Sequence, residues 1–435
     1  MSPRPGSLLL ALLSACSPAP RAPGHVVLIS VDTLRADHVG AYGSAVETPH
    51  IDALAADGVR FSRAWPAATT TLPSHAAMVT GRLPRSHGVP HNGAILHERN
   101  TTLAEVLRGH AFTTLGVVGG VPVAGSTGMA QGFDAYQGPL SPGAAGNAAV
   151  AALLDAHAGA RTFLFVHYWD AHWPYTPPPP WDRKYRTDSI PMSGSFAQIK
   201  RLRADLAASL PGAPARSAAM KGAYAGAVSY TDSHVGQLLA DLKQRGVYNN
   251  ALIVLTADHG EGMDEHWDLW SHGESTYEAA THVPLIIKMP GQRRAGSVVD
   301  TPVSLVDLFP TVLDALGVPL PGPVDGTSLL PALRGQPLER GPLLVEASGP
   351  GSRDTNCMAT LDGSLKYHHC GWRGAEELYD LSADPTEQHN QMGSVPASAA
   401  RSVIEAARQA PASPVQRDTR PETAAALEAL GYVVP

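Results

Sequence analysis

Cysteine is scarce in this chain: of 435 residues, only Cys16, Cys357 and Cys370 carry a thiol. Basic charge is short as well, with 32 lysines and arginines against 39 acidic residues and a net charge of -7. That balance offers no basic stripe for a polyanion, so nucleic acid is not an expected partner. No apolar run approaches the ~18 residues of a membrane-spanning helix, and no internal repeat is visible. What is present is a 44% hydrophobic composition, enough to bury a large core. The length allows one large α/β domain with a small appendage, or two to three ordinary domains.

The N-terminus reads as export machinery rather than fold. Arg4 precedes the short apolar stretch 7–14, which fits a secretory h-region. Leu13-Ser14-Ala15-Cys16 resembles the bacterial lipobox, in which the cysteine is lipidated and becomes the mature N-terminus. An ordinary signal peptide with an incidental Cys16 is the alternative. The proline-rich segment 17–24 then reads as a stiff tether. The expected location is the bacterial cell envelope, on the periplasmic or surface side, with membrane attachment only through the Cys16 lipid. In an exported protein, Cys357 and Cys370 suit a structural disulfide better than a redox or metal role, and two free thiols also fit.

Downstream, apolar runs and amphipathic stretches alternate. The run 25–30 reads as a buried strand, 49–57 as a helix stopped by Gly58, and 113–118, 162–166 and 251–256 as further strands. Between the last two, 223–242 reads as a long amphipathic helix. The alternation predicts an α/β fold with a mainly parallel central sheet flanked by helices. The segment 187–216 reads as a helical insertion or lid-like excursion, and 303–317 as a helix ending in glycine. Turn signals over 361–390 predict short strands of a small C-terminal α+β subdomain, followed by a helix at 422–430. The expected layout is 1–16 signal and lipobox, 17–24 tether, 25–335 main domain and 336–435 C-terminal subdomain.

Residues with ligating side chains follow the strand ends: Asp32 after the first, His167, Asp170 and His172 at the end of the third, Asp258 and His259 after the last. A ligand crevice at the carboxyl edge of a parallel sheet would gather them there. Two aspartates, a histidine and a hydroxyl can bind a divalent ion, which would hold one substrate oxygen and lower the pKa of a nucleophilic hydroxyl.

Four ordered segments resemble the sulfatase family, within the alkaline phosphatase superfamily, across nearly the whole mature chain. They are Val31-Asp32-Thr33-Leu34-Arg35 with Thr48-Pro49-His50; Thr71-Leu72-Pro73-Ser74-His75-Ala76 with Thr80-Gly81-Arg82; Thr256-Ala257-Asp258-His259-Gly260-Glu261 with Tyr277-Glu278; and Glu377-Leu378-Tyr379-Asp380 with Asp384-Pro385. The resemblance implies a sulfatase-like sheet and metal-dependent hydrolysis of an anionic phosphoric or sulfuric ester. It implies Asp32, Asp258 and His259 as metal ligands, with Thr71 on the same ion and Thr33 where many relatives place a further ligand. The histidine share points to zinc or manganese, and calcium or magnesium also suit such a set.

Two positions depart from the family signature. Thr71 stands where cysteine or serine is oxidised to the aldehyde nucleophile, and His75 where the signature has arginine. Oxidised threonine would be a ketone, so Thr71 is expected to act as a plain alkoxide, forming a phospho-threonine that water cleaves. Nucleotide pyrophosphatase/phosphodiesterase relatives use threonine in this way. Pro73 predicts a helix over 74–80, with Thr71 near an N-terminus that favours anions. Asn92 occupies the position from which phosphodiesterase and phosphonate monoester hydrolase relatives contact a non-bridging oxygen, although Asn92-Gly93 is also a turn signal.

His172 and His272 match positions where the family places a histidine and a lysine near the leaving group. Beside a single ion they would be general acid and anion binder. With Asp170 they would instead hold a second ion about 3.5–4 Å from the first. The second arrangement is expected here, because a bare Asp170 would repel an anionic substrate. His167 and His266 are assigned no role. The family's Lys-x-His segment is replaced by Val117-Val118-Gly119-Gly120-Val121-Pro122, and loss of its lysine and of the signature arginine favours a phosphorus ester. The expected function is hydrolysis of a phosphate diester or a phosphonate or phosphate monoester. A sulfuric ester hydrolase without formylglycine and a catalytically dead binding relative are the alternatives. Substrate identity and oligomeric state are not legible.

Overall fold

The run His25–Val31 shows no apolar–polar alternation because its strand is covered on both faces, with six of its seven residues buried. In the computed structural model, which describes residues 22–192, 194–348 and 356–430, this strand lies inside a nine-stranded sheet. The expected signal segment, Cys16 and most of the tether fall outside the described residues. From one edge the strand order is Val303–Ser304, Val59–Trp65, Val283–Lys288, Ala251–Ala257, His25–Val31, Thr162–Tyr168, Thr113–Val118 and Ala135–Gln137, with Ser297–Val299 also paired to Val59–Trp65. Every pairing is parallel except the two made by Val283–Lys288. The fold is α/β, with helices flanking a mixed, mostly parallel sheet.

The helix Pro49–Asp57 has the expected bounds. The long helix runs over Ala213–Gln244, so the alanine-rich end of the 187–216 excursion is its first turn, and Phe196–Ala207 is a separate helix before it. The segment 303–317 is not one helix. Ser304 N donates to Asp307 Oδ2 at 2.8 Å across the short turn Leu305–Asp307, which separates the strand Val303–Ser304 from the helix Leu308–Leu316. No described helix is long and apolar enough to cross a membrane.

At the C-terminal end, Leu343–Glu346, Cys357–Asp362, Leu365–Cys370 and Ala375–Asp380 form an antiparallel four-stranded sheet. Ile404 of the helix Ser398–Gln409 packs with Met358, Tyr367 and Leu378 of that sheet. Cys357 and Cys370 stand directly opposite each other in the register and are joined by a disulfide.

A buried polar cluster fastens this small sheet to the large one. Lys366 donates to Glu278 Oε1 at 2.7 Å and Thr281 Oγ1 at 2.9 Å, and lies 3.1 Å from Glu387 Oε1. His368 donates from Nε2 to Glu387 Oε1 at 2.8 Å and accepts from Thr276 Oγ1 at 2.9 Å. Burial alone would raise the Glu387 carboxyl, but Lys366 and His368 outweigh it and hold the pKa at about 2. Removing one member of such a buried set strands the others. Glu387→Gln is expected to lower unfolding stability by about 3 kcal/mol in urea titrations at neutral pH. Because the folded pKa is depressed, the contribution is complete above the ordinary value of 4.5 and fades as pH falls toward about 2. The two proteins should therefore converge in acid, and a gap that persists there would dissociate the effect from ionisation.

Candidate active site

Strand register builds the site. Val31 pairs with Tyr168 on one side and Ala257 on the other, so Asp32 and Asp258 leave the sheet side by side. Ser30 pairs with His167, and residues two apart on a strand share a face. Ser30, Asp32 and His167 therefore face one side, where the wholly buried helix Thr71–Thr80 packs.

Asp32, Asp258 and His259 are completely buried, and their ligand atoms lie within 4.8 Å of one another. Asp258 Oδ1 accepts from Thr33 N at 3.2 Å and His259 N at 2.9 Å, and Asp32 Oδ2 accepts from His167 Nε2 at 3.2 Å. The remaining oxygens, Asp32 Oδ1 and Asp258 Oδ2, have no hydrogen-bond partner among the described residues. His259 donates from Nδ1 to Gly260 O at 2.9 Å, so its lone pair is on Nε2, 3.4 Å from Asp258 Oδ2. Desolvated carboxylate oxygens without donors are costly unless a cation answers them. The donor set fits a divalent ion.

The electrostatics agree. Burial first, and Asp258 next, push Asp32 well above the usual carboxylate range. Burial would raise Asp258 too, but the neighbouring histidines, His259 foremost, pull it below its ordinary value. One charge is thus disfavoured in the bare pair.

Thr71 opens its helix three residues earlier than the sequence predicts. Pro73 falls in the first turn, where a missing N–H is harmless. Thr71 Oγ1 is 3.5 Å from His259 Nε2. Asn92 Oδ1 accepts from Leu72 N at 2.8 Å, while its buried Nδ2 has no partner among the described residues. The Asn92 loop is held by the C-terminal segment: Gln416–Arg417 pairs with Ala94–Ile95, and Asp418 N donates to Gly93 O.

His75 brings no cation in the arginine's place. Burial pushes its pKa down to about 3. It donates from Nδ1 to Thr71 O at 2.8 Å and accepts at Nε2 from Ser30 Oγ at 3.0 Å. Although His75, His167 and Asp258 also bring ligand atoms together, both nitrogens of His75 are committed. His167, assigned no role from sequence, orients Asp32 and packs edge-on against His75. Its register position opposite Ser30 was the signal that could have found it. Thr33 turns its hydroxyl away from the cluster, donating to Ala171 O at 3.0 Å, and holds a left-handed φ of 55° that is strained for a β-branched residue.

The expected trio of Asp170, His172 and His272 does not assemble. Asp170 accepts from Gly143 N at 3.0 and 3.1 Å, at the first residue of the helix Gly143–Ala156. Burial pushes the Asp170 carboxyl above its ordinary value, and the Gly143 amide offsets only part of that shift. His172 and His272 do come together, with ring centroids 5.3 Å apart and His272 4.6 Å from His259. His172 donates from Nδ1 to Trp173 O, stacks on Trp169 at 3.8 Å, and is pushed to about pKa 3 by burial and then by His272. A Cβ on Gly120 would meet the Trp169 ring at 2.3 Å. The Gly119-Gly120 pair makes room for this indole. His266 stacks on Tyr277, away from the cluster. A cavity of about 670 Å³ lies against the 187–216 excursion, lined by Ile190, Leu202, Leu210 and Met220 among others, but by none of the site residues above.

Fold and site together define a class: an α/β ester hydrolase whose chemistry sits where parallel strands end. Residues 24–318 match the Sulfatase family model, and the chain belongs to the sulfatase family. It is 28% identical to steryl-sulfatase of Rattus norvegicus over 88% of each chain. It is 24% identical to an arylsulfatase of Clostridium perfringens, over 85% of this chain and 90% of that one. Phosphonate monoester hydrolase of Agrobacterium radiobacter superposes with a TM-score of 0.71 at 26% identity, covering 88% of this chain and 94% of that one. The protein is a hydrolase acting on sulfuric or phosphoric esters.

Asp32→Asn removes one of two mutually repelling buried carboxylates. After chelator treatment the variant is expected to melt about 2 °C or more above wild type. Added zinc or manganese should raise the wild-type melting temperature and leave the variant unmoved in calorimetry. An equal metal-induced gain in both would remove Asp32 from the ligand set.

Proposed function

We propose that this enzyme hydrolyses a phosphate diester or a phosphonate or phosphate monoester, with the Thr71 hydroxyl as nucleophile. The observation that carries this reading is the place of that hydroxyl, at the start of a buried helix and 3.5 Å from His259 Nε2, beside the two carboxylates. Thr71 stands at the formylglycine position of the sulfatase signature, and a secondary alcohol cannot yield an aldehyde there. A divalent ion held by Asp32, Asp258 and His259 would supply a lowered hydroxyl pKa and a positive charge for one substrate oxygen. Zinc or manganese suits the mixed aspartate–histidine set, and the engagement of Asp170 elsewhere supports one ion rather than two.

Thr71 Oγ gives up its proton as it attacks phosphorus, the bond to the leaving oxygen breaks and that oxygen is released as the alcohol, and water then adds to the phospho-threonine, its OH staying on phosphorus and its other proton restoring the Thr71 hydroxyl. Asn92, fixed through Oδ1 on Leu72 N, keeps Nδ2 to donate to the non-bridging oxygen on which charge grows. The backbone at the first turn of the helix adds its favourable field. His172 and His272 serve the leaving-group side. Export and lipid anchoring through Cys16 belong to the same proposal, supported by the Cys357–Cys370 disulfide.

A sulfuric ester is the second reading, favoured by the activities named for the steryl-sulfatase and arylsulfatase relatives. The likeness to a phosphonate monoester hydrolase favours the first. Matched nitrophenyl sulfate, phosphate monoester, phosphate diester and phosphonate monoester assays separate them. Thr71→Ala should lower phosphorus-ester turnover on the order of 1,000-fold or more, and Asp258→Asn should lose both bound metal and activity. Turnover of sulfate alone would establish the second reading. Metal retained with no turnover of any ester would make the protein a binding relative.

A further inference from the structure

A helix commonly caps its own N-terminus, the residue before the first turn accepting from the second or third backbone N–H. The helix Thr71–Thr80 does not. Its third residue is Pro73, which has no N–H, and the N–H of its second, Leu72, donates to Asn92 Oδ1 at 2.8 Å. Thr70, buried in the capping position, makes no side-chain bond to the helix. Its hydroxyl is instead bonded to Ser348 Oγ at 2.7 Å, and the Ser348 hydroxyl donates to Pro90 O at 2.6 Å. A carbonyl only accepts, so the Ser348 proton is spent on Pro90 and Thr70 is the donor to Ser348.

These contacts close a ring. Residues 70–72 and 90–92 are joined once by the Leu72–Asn92 bond and a second time through Ser348. One bond alone would let the Asn92 loop pivot about it, whereas two spaced attachments fix its direction. Both ends of the bridge are themselves held. Thr70 packs on Gly273, where an added Cβ would come within 2.5 Å of Thr70 Cγ2. Ser348 follows the edge strand Leu343–Glu346 of the small sheet, whose Glu346 N donates to Ala67 O at 3.0 Å and whose Glu346 O accepts from Thr69 N at 3.1 Å. Ala347 N donates to Cys357 O at 2.8 Å. The small sheet thereby reaches the residue that precedes Thr71.

We infer that Ser348 is a positioning residue, whose hydroxyl clamps the Asn92 loop onto the start of the Thr71 helix so that Asn92 Nδ2 keeps one place relative to the Thr71 hydroxyl; this rests on Thr71 as the nucleophile and Asn92 as the donor to the non-bridging oxygen. Ser348 takes no part in the bond changes. Charge on the non-bridging oxygen grows as the Thr71 Oγ–P bond forms, and a donor answers that charge only from within hydrogen-bond reach. A loop released from one of its two attachments moves the donor off that place, which costs more in the transition state than in substrate binding.

The test is steady-state kinetics of the full-length, metal-loaded enzyme on the nitrophenyl phosphorus esters, beside the Thr71→Ala control. Ser348→Ala should lower kcat on the order of 10-fold with KM within about twofold, and Ser348→Thr, which keeps the hydroxyl, should stay within about threefold of wild type. In an Asn92→Ala background Ser348→Ala should add less than about a twofold further loss, because its effect passes through that side chain. A merely structural role would cost the same factor in both backgrounds. Thr70→Val removes the donor at the other end of the bridge. It should give the same kcat loss and the same non-additivity, and it carries the test should Ser348→Ala fail to fold. An unchanged kcat in Ser348→Ala, a loss confined to KM, or full additivity with Asn92→Ala would overturn the inference. If Thr71→Ala is inactive while Ser348→Ala is silent, only this inference falls. If Thr71→Ala turns over normally, the nucleophile assignment itself has failed.

Discussion

Two aspartates at the ends of adjacent parallel strands, both fully desolvated and each with an oxygen that no described donor reaches, are the constraint on which the rest of this structure depends. Such a pair is unfavourable in a bare protein, and the surroundings are arranged to tolerate and aim it. His167 and two backbone amides fix one oxygen of each carboxylate. The Gly260 carbonyl fixes the proton of His259 on the far nitrogen. What remains is a cluster of lone pairs of one sign, which a small divalent cation would suit.

The substitutions that set this chain apart from its family signature follow from the same centre. With His75 held neutral beneath Thr71 and Gly119-Gly120 beneath Trp169, the described residues supply little fixed positive charge near Thr71. In the proposed scheme, charge neutralisation would fall to a divalent cation, and directed hydrogen bonding to Asn92 and the paired histidines. The left-handed Thr33 shows that backbone strain is tolerated next to Asp32. Its amide is spent on Asp258, its hydroxyl on Ala171 and its carbonyl on Tyr224.

The small C-terminal sheet contributes by bracing. Its Lys366 and His368, with Glu387 of the following loop, tie it to Glu278 and Thr276 beyond the metal-edge turn, and the tail near Gln416 pairs beside Asn92. Residues more than three hundred positions apart in sequence therefore share the task of holding one loop. A polar network of this kind is stable only when complete, which links the integrity of the appended sheet to that of the catalytic edge.

Much was legible in the sequence because it is carried by short-range patterns. Unbroken apolar runs marked the buried strands, proline and glycine bounded the helix Pro49–Asp57, and local motifs gave the family and pointed to Asp32, Thr71, Asp258 and His259 as its candidate site. The strand Val59–Trp65 and Val283–Lys288, the strand that runs antiparallel within the large sheet, passed unnoticed, since strand direction is a property of pairing rather than of composition. Asp170 looked like a ligand by its neighbours in sequence, yet the helix Gly143–Ala156 claims its carboxylate. His167 looked idle, yet register sets it against Asp32. Sequence by itself determined which side chains with ligating or nucleophilic chemistry stand at the strand ends. Only the tertiary structure decided which of them meet, because hydrogen-bond partners, burial and the nitrogen a histidine presents are set by elements far away along the chain.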